Sequence, residues 1–111
     1  MNPSEQKTIV RMIGIGGVEN LEVAQLPSEQ PVSGMVRVRH LAIGVNFIDI
    51  YHRTGLYPLS LPAILGVEGA GVVEALGDDV SGFSIGDRVA YAGAPACAYT
   101  TARSLPVSRL I

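Results

Sequence analysis

The chain has 111 residues, enough for one compact domain, with a net charge of −2 and a pI near 5.5. That balance argues against nucleic acid as a partner, because phosphate binding needs a basic surface. Hydrophobic residues are 48% and charged ones 16%, which excludes a disordered charged tail, and the lone Cys97 excludes an internal disulfide.

Thirteen glycines and seven prolines punctuate the chain between β-branched runs, a spacing that predicts short strands. The first expected strand is Lys7–Ile15, closed by Gly16-Gly17. Leu21–Leu26 follows, stopped by Pro27, and then Gly34–Ile43. In the latter, Val36 and Val38 alternate with Arg37 and Arg39, the pattern of a strand with one wet face. Ala70–Leu76, Arg88–Tyr91 and Ala98–Arg103 read as further strands, and Val107–Ile111 starts another segment.

Residues 46–55 break this pattern and predict a short helix. Asn46 caps it, Asp49 falls at the third helical position, and Gly55 supplies the left-handed residue that ends it. Asp49 and Arg53, four apart, form a favourable pair. Strands with one helical insert predict a mainly β fold, a small partly open barrel with one short helix near residues 46–54.

No basic region followed by an apolar run opens the chain, so no signal peptide is expected, and no apolar stretch nears the ~20 residues of a membrane span. With one cysteine, a reducing, cytoplasmic compartment is the expectation. The chain ends on Leu110-Ile111 without a polar tail, which points to a piece of something longer; a docked last strand would end the same way.

Gly14-Ile15-Gly16-Gly17 and Gly66-Val67-Glu68-Gly69-Ala70-Gly71 both fail the G-x-G-x-x-G dinucleotide fingerprint, because Glu19 and Glu74 occupy the last glycine position. They read as tight turns or close strand contacts. His40, His52 and Cys97, with Asp49 and Glu68, lack metal-ligand spacing. The plain reading is a strand histidine, a solvent-facing helix histidine and a small buried or loop cysteine, with no metal site. Glu68, among glycines and apolar residues, must be paired with an arginine, wet, or raised in pKa. Tyr51 and Tyr57 bracket the helix end. They are half-buried core residues with wet hydroxyls, or a pair that holds a flat ring and donates a hydrogen bond.

One ordered string goes further. Val45-Asn46-Phe47-Ile48-Asp49, Tyr51-His52-Arg53-Thr54-Gly55-Leu56-Tyr57-Pro58, Leu65-Gly66-Val67-Glu68-Gly69-Ala70-Gly71-Val72-Val73 and Gly86-Asp87-Arg88-Val89 occur in sequence. Together they resemble the N-terminal, GroES-like domain of the zinc-free, ζ-crystallin-like quinone oxidoreductases. These belong to the medium-chain dehydrogenase/reductase superfamily. The resemblance covers most of the chain and implies one GroES-like domain over residues 1–111, with the Rossmann cofactor domain absent from it. Where zinc-dependent alcohol dehydrogenases carry a cysteine and a Gly-His-Glu, this chain has Asn46 and Gly66-Val67-Glu68. The resemblance therefore implies no catalytic zinc. It implies NADPH as the parent enzyme's cofactor, with Asn46 near the nicotinamide, Tyr51 a second cofactor contact, and Tyr51 and Tyr57 lining the cofactor and substrate cleft. Tyr57 is the candidate donor to the substrate oxygen, with water as its competitor; Asp49 and Arg53 are structural. The implied substrate is a small quinone or enone, with no nucleic acid or membrane partner, and the resemblance admits a homodimeric parent. The alternative is a stand-alone GroES-like binding module, akin to a co-chaperonin, that presents loops to a protein partner.

Overall fold

A computed structural model describes residues 6–93 and 95–111. Residues 1–5, on which part of the leader reading rests, and Ala94 lie outside the described residues. The strands are β1 (Gln6–Met12), β2 (Leu21–Pro27), β3 (Met35–Ile43), β4 (Ala63–Ile64), β5 (Glu68–Leu76), β6 (Arg88–Ala92) and β7 (Ala102–Pro106). The helix α1 covers Phe47–Thr54, and single 3-10 turns occupy Val18–Asn20 and Val107–Arg109. No helix among the described residues is long and apolar enough to cross a membrane.

Two antiparallel sheets result, ordered β2-β1-β4 and β6-β5-β3-β7. They meet where the segment leading into β7 runs beside β1: Val10 N–H donates to Tyr99 O at 2.9 Å and Thr101 N–H to Thr8 O at 2.9 Å. The expected mainly β fold with one helix is what forms, but among the described residues its two sheets do not close into a barrel. The main core lies on the inner face of the larger sheet, with Val36, Val38, Val73 and Leu105 all at most 1% exposed. A smaller core, Met12, Ala63 and Leu65 with Tyr99 against it, lies under the other sheet.

Three readings change. The strand expected at Ala98–Arg103 begins four residues later, because Tyr99–Thr101 bridges β1 and β3 irregularly before regular pairing with β3 starts at Ala102. The two-residue strand β4 was not anticipated; it exists only as a partner for Arg11 and Met12 of β1. The second face of β3 is wet only in part, since Arg37 is 8% exposed while the Arg39 side chain keeps 36%. Glu74 of β5 accepts from Arg37 Nε at 2.8 Å and from Arg39 Nε at 2.9 Å. One carboxylate thus satisfies two guanidinium groups, which is how charge is tolerated at low exposure.

Candidate functional site

Helix α1 is capped as its sequence requires. Asn46 is extended at the N-cap, and the Asp49 carboxylate reaches back to accept from Asn46 N–H at 3.0 Å. Gly55 takes the left-handed conformation (φ 87°) that ends the helix.

Its orientation is the unusual feature. An amphipathic helix normally buries its apolar stripe. Here Asp49 and His52 are buried at 4% and 8% exposure, whereas Phe47 is 78% exposed and Ile50 42%. The histidine expected to face solvent therefore faces the body of the domain. The expected Asp49–Arg53 pair does not form, because each residue has an outside partner. Tyr99 Oη donates to Asp49 Oδ2 at 2.7 Å, and Arg53 Nη1 donates to Gly16 O at 2.6 Å. Gly16 N–H returns a bond to Arg53 O at 2.8 Å. Two polar anchors, one at each end, hold the helix with its apolar side outward.

That outward side is a ridge. Phe47 and Tyr51 are four apart and Ile50 lies between them, so the three share a face. Val45, Asn46, Phe47 and Ile50 line a shallow cavity of about 390 Å3. Past the helix, Tyr57 N–H donates to Tyr51 O at 3.2 Å, folding the chain back. The two rings then meet edge to face, 5.6 Å between centroids and 88° between planes. Both hydroxyl-bearing rings are exposed.

The structure thus brings Tyr51 and Tyr57 together and places Asn46 at the other end of the same ridge, with Phe47 between. Reading the sequence alone missed Val45, Phe47 and Ile50 as lining residues, although the i, i+3, i+4 spacing of Phe47, Ile50 and Tyr51 was present to be read. It also missed Tyr99, whose link to Asp49 spans fifty positions and has no local signal. Burial, together with the bond to the negative Asp49, pushes the Tyr99 hydroxyl well above its ordinary pKa and keeps it a donor.

Glu68 is exposed and has no ion-pair partner among the described residues; its carboxylate lies over Gly44, so of the three sequence options the wet one is observed. His40 is engaged on both ring nitrogens, Nδ1 with Thr100 O at 2.7 Å and Nε2 with Tyr91 Oη at 2.8 Å. A carbonyl only accepts, so Nδ1 carries the proton and Tyr91 donates to Nε2. Arg103 Nη1 lies 3.4 Å from the same hydroxyl, its guanidinium 5.1 Å from the Tyr91 ring centroid. Burial lowers the His40 pKa and raises that of Tyr91, which favours the neutral forms this chain of bonds needs. Among the described residues no three His, Cys, Asp or Glu side chains gather into a metal-ion cluster.

The fold belongs to a known class. The family model "Alcohol dehydrogenase GroES-like domain" matches residues 32–107. The chain belongs to that family, within the medium-chain dehydrogenase/reductase superfamily. Among curated relatives, a quinone oxidoreductase of Pseudomonas aeruginosa is 48% identical over 103 residues, which are 92% of this chain and 32% of that protein. A 2-haloacrylate reductase of a Burkholderia species is 41% identical over 100 residues, covering 86% of this chain and 30% of that one. Among solved structures, Escherichia coli quinone oxidoreductase complexed with NADPH superposes with a TM-score of 0.90 at 36% identity, covering 94% of this chain and 32% of that one. The chain spans about a third of the length of these relatives.

Proposed function

We propose that this chain forms the acceptor-side wall of the cleft in an NADPH-dependent quinone or enone oxidoreductase. The Rossmann domain that carries most of the cofactor contact would lie in sequence outside these residues. The observation that carries the reading is α1 itself. An apolar ridge with an amide at one end and a tyrosine pair at the other is exposed by construction, since polar anchors hold it outward. A surface of this kind needs a cover, and a flat conjugated ring fits it.

The residues present fit the cofactor's reactive end. The Asn46 side-chain amide offers N–H donors, and Val45 and Phe47 offer an apolar floor. NADPH, when bound, supplies the hydride. Tyr51 and Tyr57 orient the acceptor ring by edge and face contacts. The Tyr57 hydroxyl donates to the acceptor oxygen as negative charge grows there. A hydroxyl is a weak donor compared with a Lewis acid. It suits quinones and α,β-unsaturated carbonyls, in which conjugation spreads the charge. The names of the relatives, a quinone oxidoreductase and a 2-haloacrylate reductase, support the same acceptor class.

The test is to express the complete reading frame containing these residues and follow NADPH oxidation with one quinone and one enone. Oxidation dependent on either acceptor supports the reading. A protein that binds no NADPH, or oxidises it with neither acceptor, overturns it.

A further inference from the structure

We propose that Tyr99 is a positioning residue for the cleft, acting through Asp49 to place Asn46; this rests on the reading of Asn46 as a cofactor contact. Tyr99 is itself fixed to the body of the domain. Its N–H donates to Leu65 O at 2.8 Å, and its carbonyl accepts from Val10 N–H at 2.9 Å. Its ring presses on Gly66, where even a methyl group would come within 2.6 Å of ring Cδ1. The hydroxyl therefore has little freedom to move.

From that fixed point it donates to Asp49 Oδ2, the same oxygen that accepts from Asn46 N–H. Asp49 is 4% exposed, and its other oxygen has no partner among the described residues. A buried carboxylate with so few bonds is held strongly by each. The second anchor of α1, Arg53 with Gly16, sits at the opposite end. Loss of the Tyr99 bond leaves the helix free to pivot about Arg53. The pivot moves Asn46 and Phe47 most, and Tyr51, a half-turn from Arg53, least. A helix that owed its place to buried apolar residues would not behave this way.

The experiment is Tyr99→Phe in the full-length protein, which removes one oxygen and keeps the ring. We expect the KM for NADPH to rise about tenfold, with the KM for the quinone changed by less than about twofold. Amide exchange at Asn46 should speed up about tenfold, the equivalent of one lost hydrogen bond, with Tyr51 to Arg53 unchanged. The double variant with Asp49→Asn should be no worse than Asp49→Asn alone, because both act on one linkage. Unchanged exchange at Asn46, or equal effects on both KM values, overturns the proposal. If Tyr99→Phe does not fold, Asp49→Asn is read by the same two measurements, with the same outcomes deciding. A wild-type protein that never oxidises NADPH sinks the functional reading instead, and the exchange data still decide whether Tyr99 holds Asn46.

Discussion

His40 and Tyr91 face each other across 2.8 Å, and Gly69 of β5 is the floor on which both rest. A Cβ at position 69 would lie 2.8 Å from His40 Nε2 and 2.9 Å from Tyr91 Oη. Gly69→Ala should therefore force the pair apart. The expected loss is about 2–3 kcal/mol, from overpacking and a broken hydrogen bond together. Urea denaturation of the two proteins measures it; a loss under about 0.5 kcal/mol, the range of neutral surface changes, would mean the pair relaxes freely.

The same pair carries a pH dependence. The folded His40 pKa lies below the ordinary 6.5. Between the two values the unfolded chain binds the extra proton, so stability rises with pH there. The contribution is complete above about pH 6.5 and is lost as pH falls through the lower folded value. Denaturation midpoints measured from pH 7.5 to 5 should fall, and His40→Gln should flatten that fall. An unchanged slope in the variant would place the titration elsewhere.

Glu74 holds two arginines at once, so its loss strands both. Glu74→Ala should destabilise by about 3 kcal/mol, near the lower end for breaking a buried pair, since Arg39 retains some access to water. For a domain of this size that is a fall in Tm of more than roughly 10 °C. Differential scanning calorimetry at neutral pH gives the number directly, and Glu74→Gln should recover part of it by keeping one acceptor.

Much of α1 was legible because its signals are local. Asn46, Asp49 and Gly55 specify the helix ends from within ten residues, and all three are where the sequence places them. Which way the helix faces was not legible. That depends on Tyr99 and Gly16, which come from other parts of the chain. Arg37 misled for the same reason: alternation marks two faces, and the distant Glu74 lets Arg37 on the second one be buried. At Ala98–Arg103 the β-branched pair Thr100-Thr101 gave the right propensity, but the segment spends its bonds on β1 and β3 before regular pairing begins. Within the site, Tyr51 and Tyr57 were legible as neighbours, because the helix end at Gly55 returns the chain between them.

Tyr57 is tested in the full-length protein by Tyr57→Phe. If its hydroxyl donates to the acceptor oxygen, kcat should fall about tenfold, or ~1.4 kcal/mol, with KM changed less. Water can enter at this exposed position, which is why the loss is smaller than for an enclosed donor. Steady-state kinetics on one quinone and one enone, with NADPH saturating, gives the answer. Unchanged kcat on both would leave Tyr57 only its edge contact with Tyr51.

The isolated 111-residue chain should bind NADPH weakly and reduce no quinone, because the phosphate-cradling helix terminus expected of the second domain is not among these residues. Calorimetric titration with NADPH and a turnover assay check both parts. Quinone turnover by the purified chain would contradict this.

The outward ridge of α1 also bears on the thermodynamics of whatever closes over it. Its backbone is ordered by Asp49, Arg53 and the two caps before any cover arrives. Phe47, Ile50 and Val45 have few rotamers to lose. If a second domain covers the ridge as proposed, it meets an ordered template whose backbone entropy is already spent when this domain folds. The calorimetric signature of closure should be a large negative heat-capacity change from the buried ridge, without the ordering penalty of a coupled folding event.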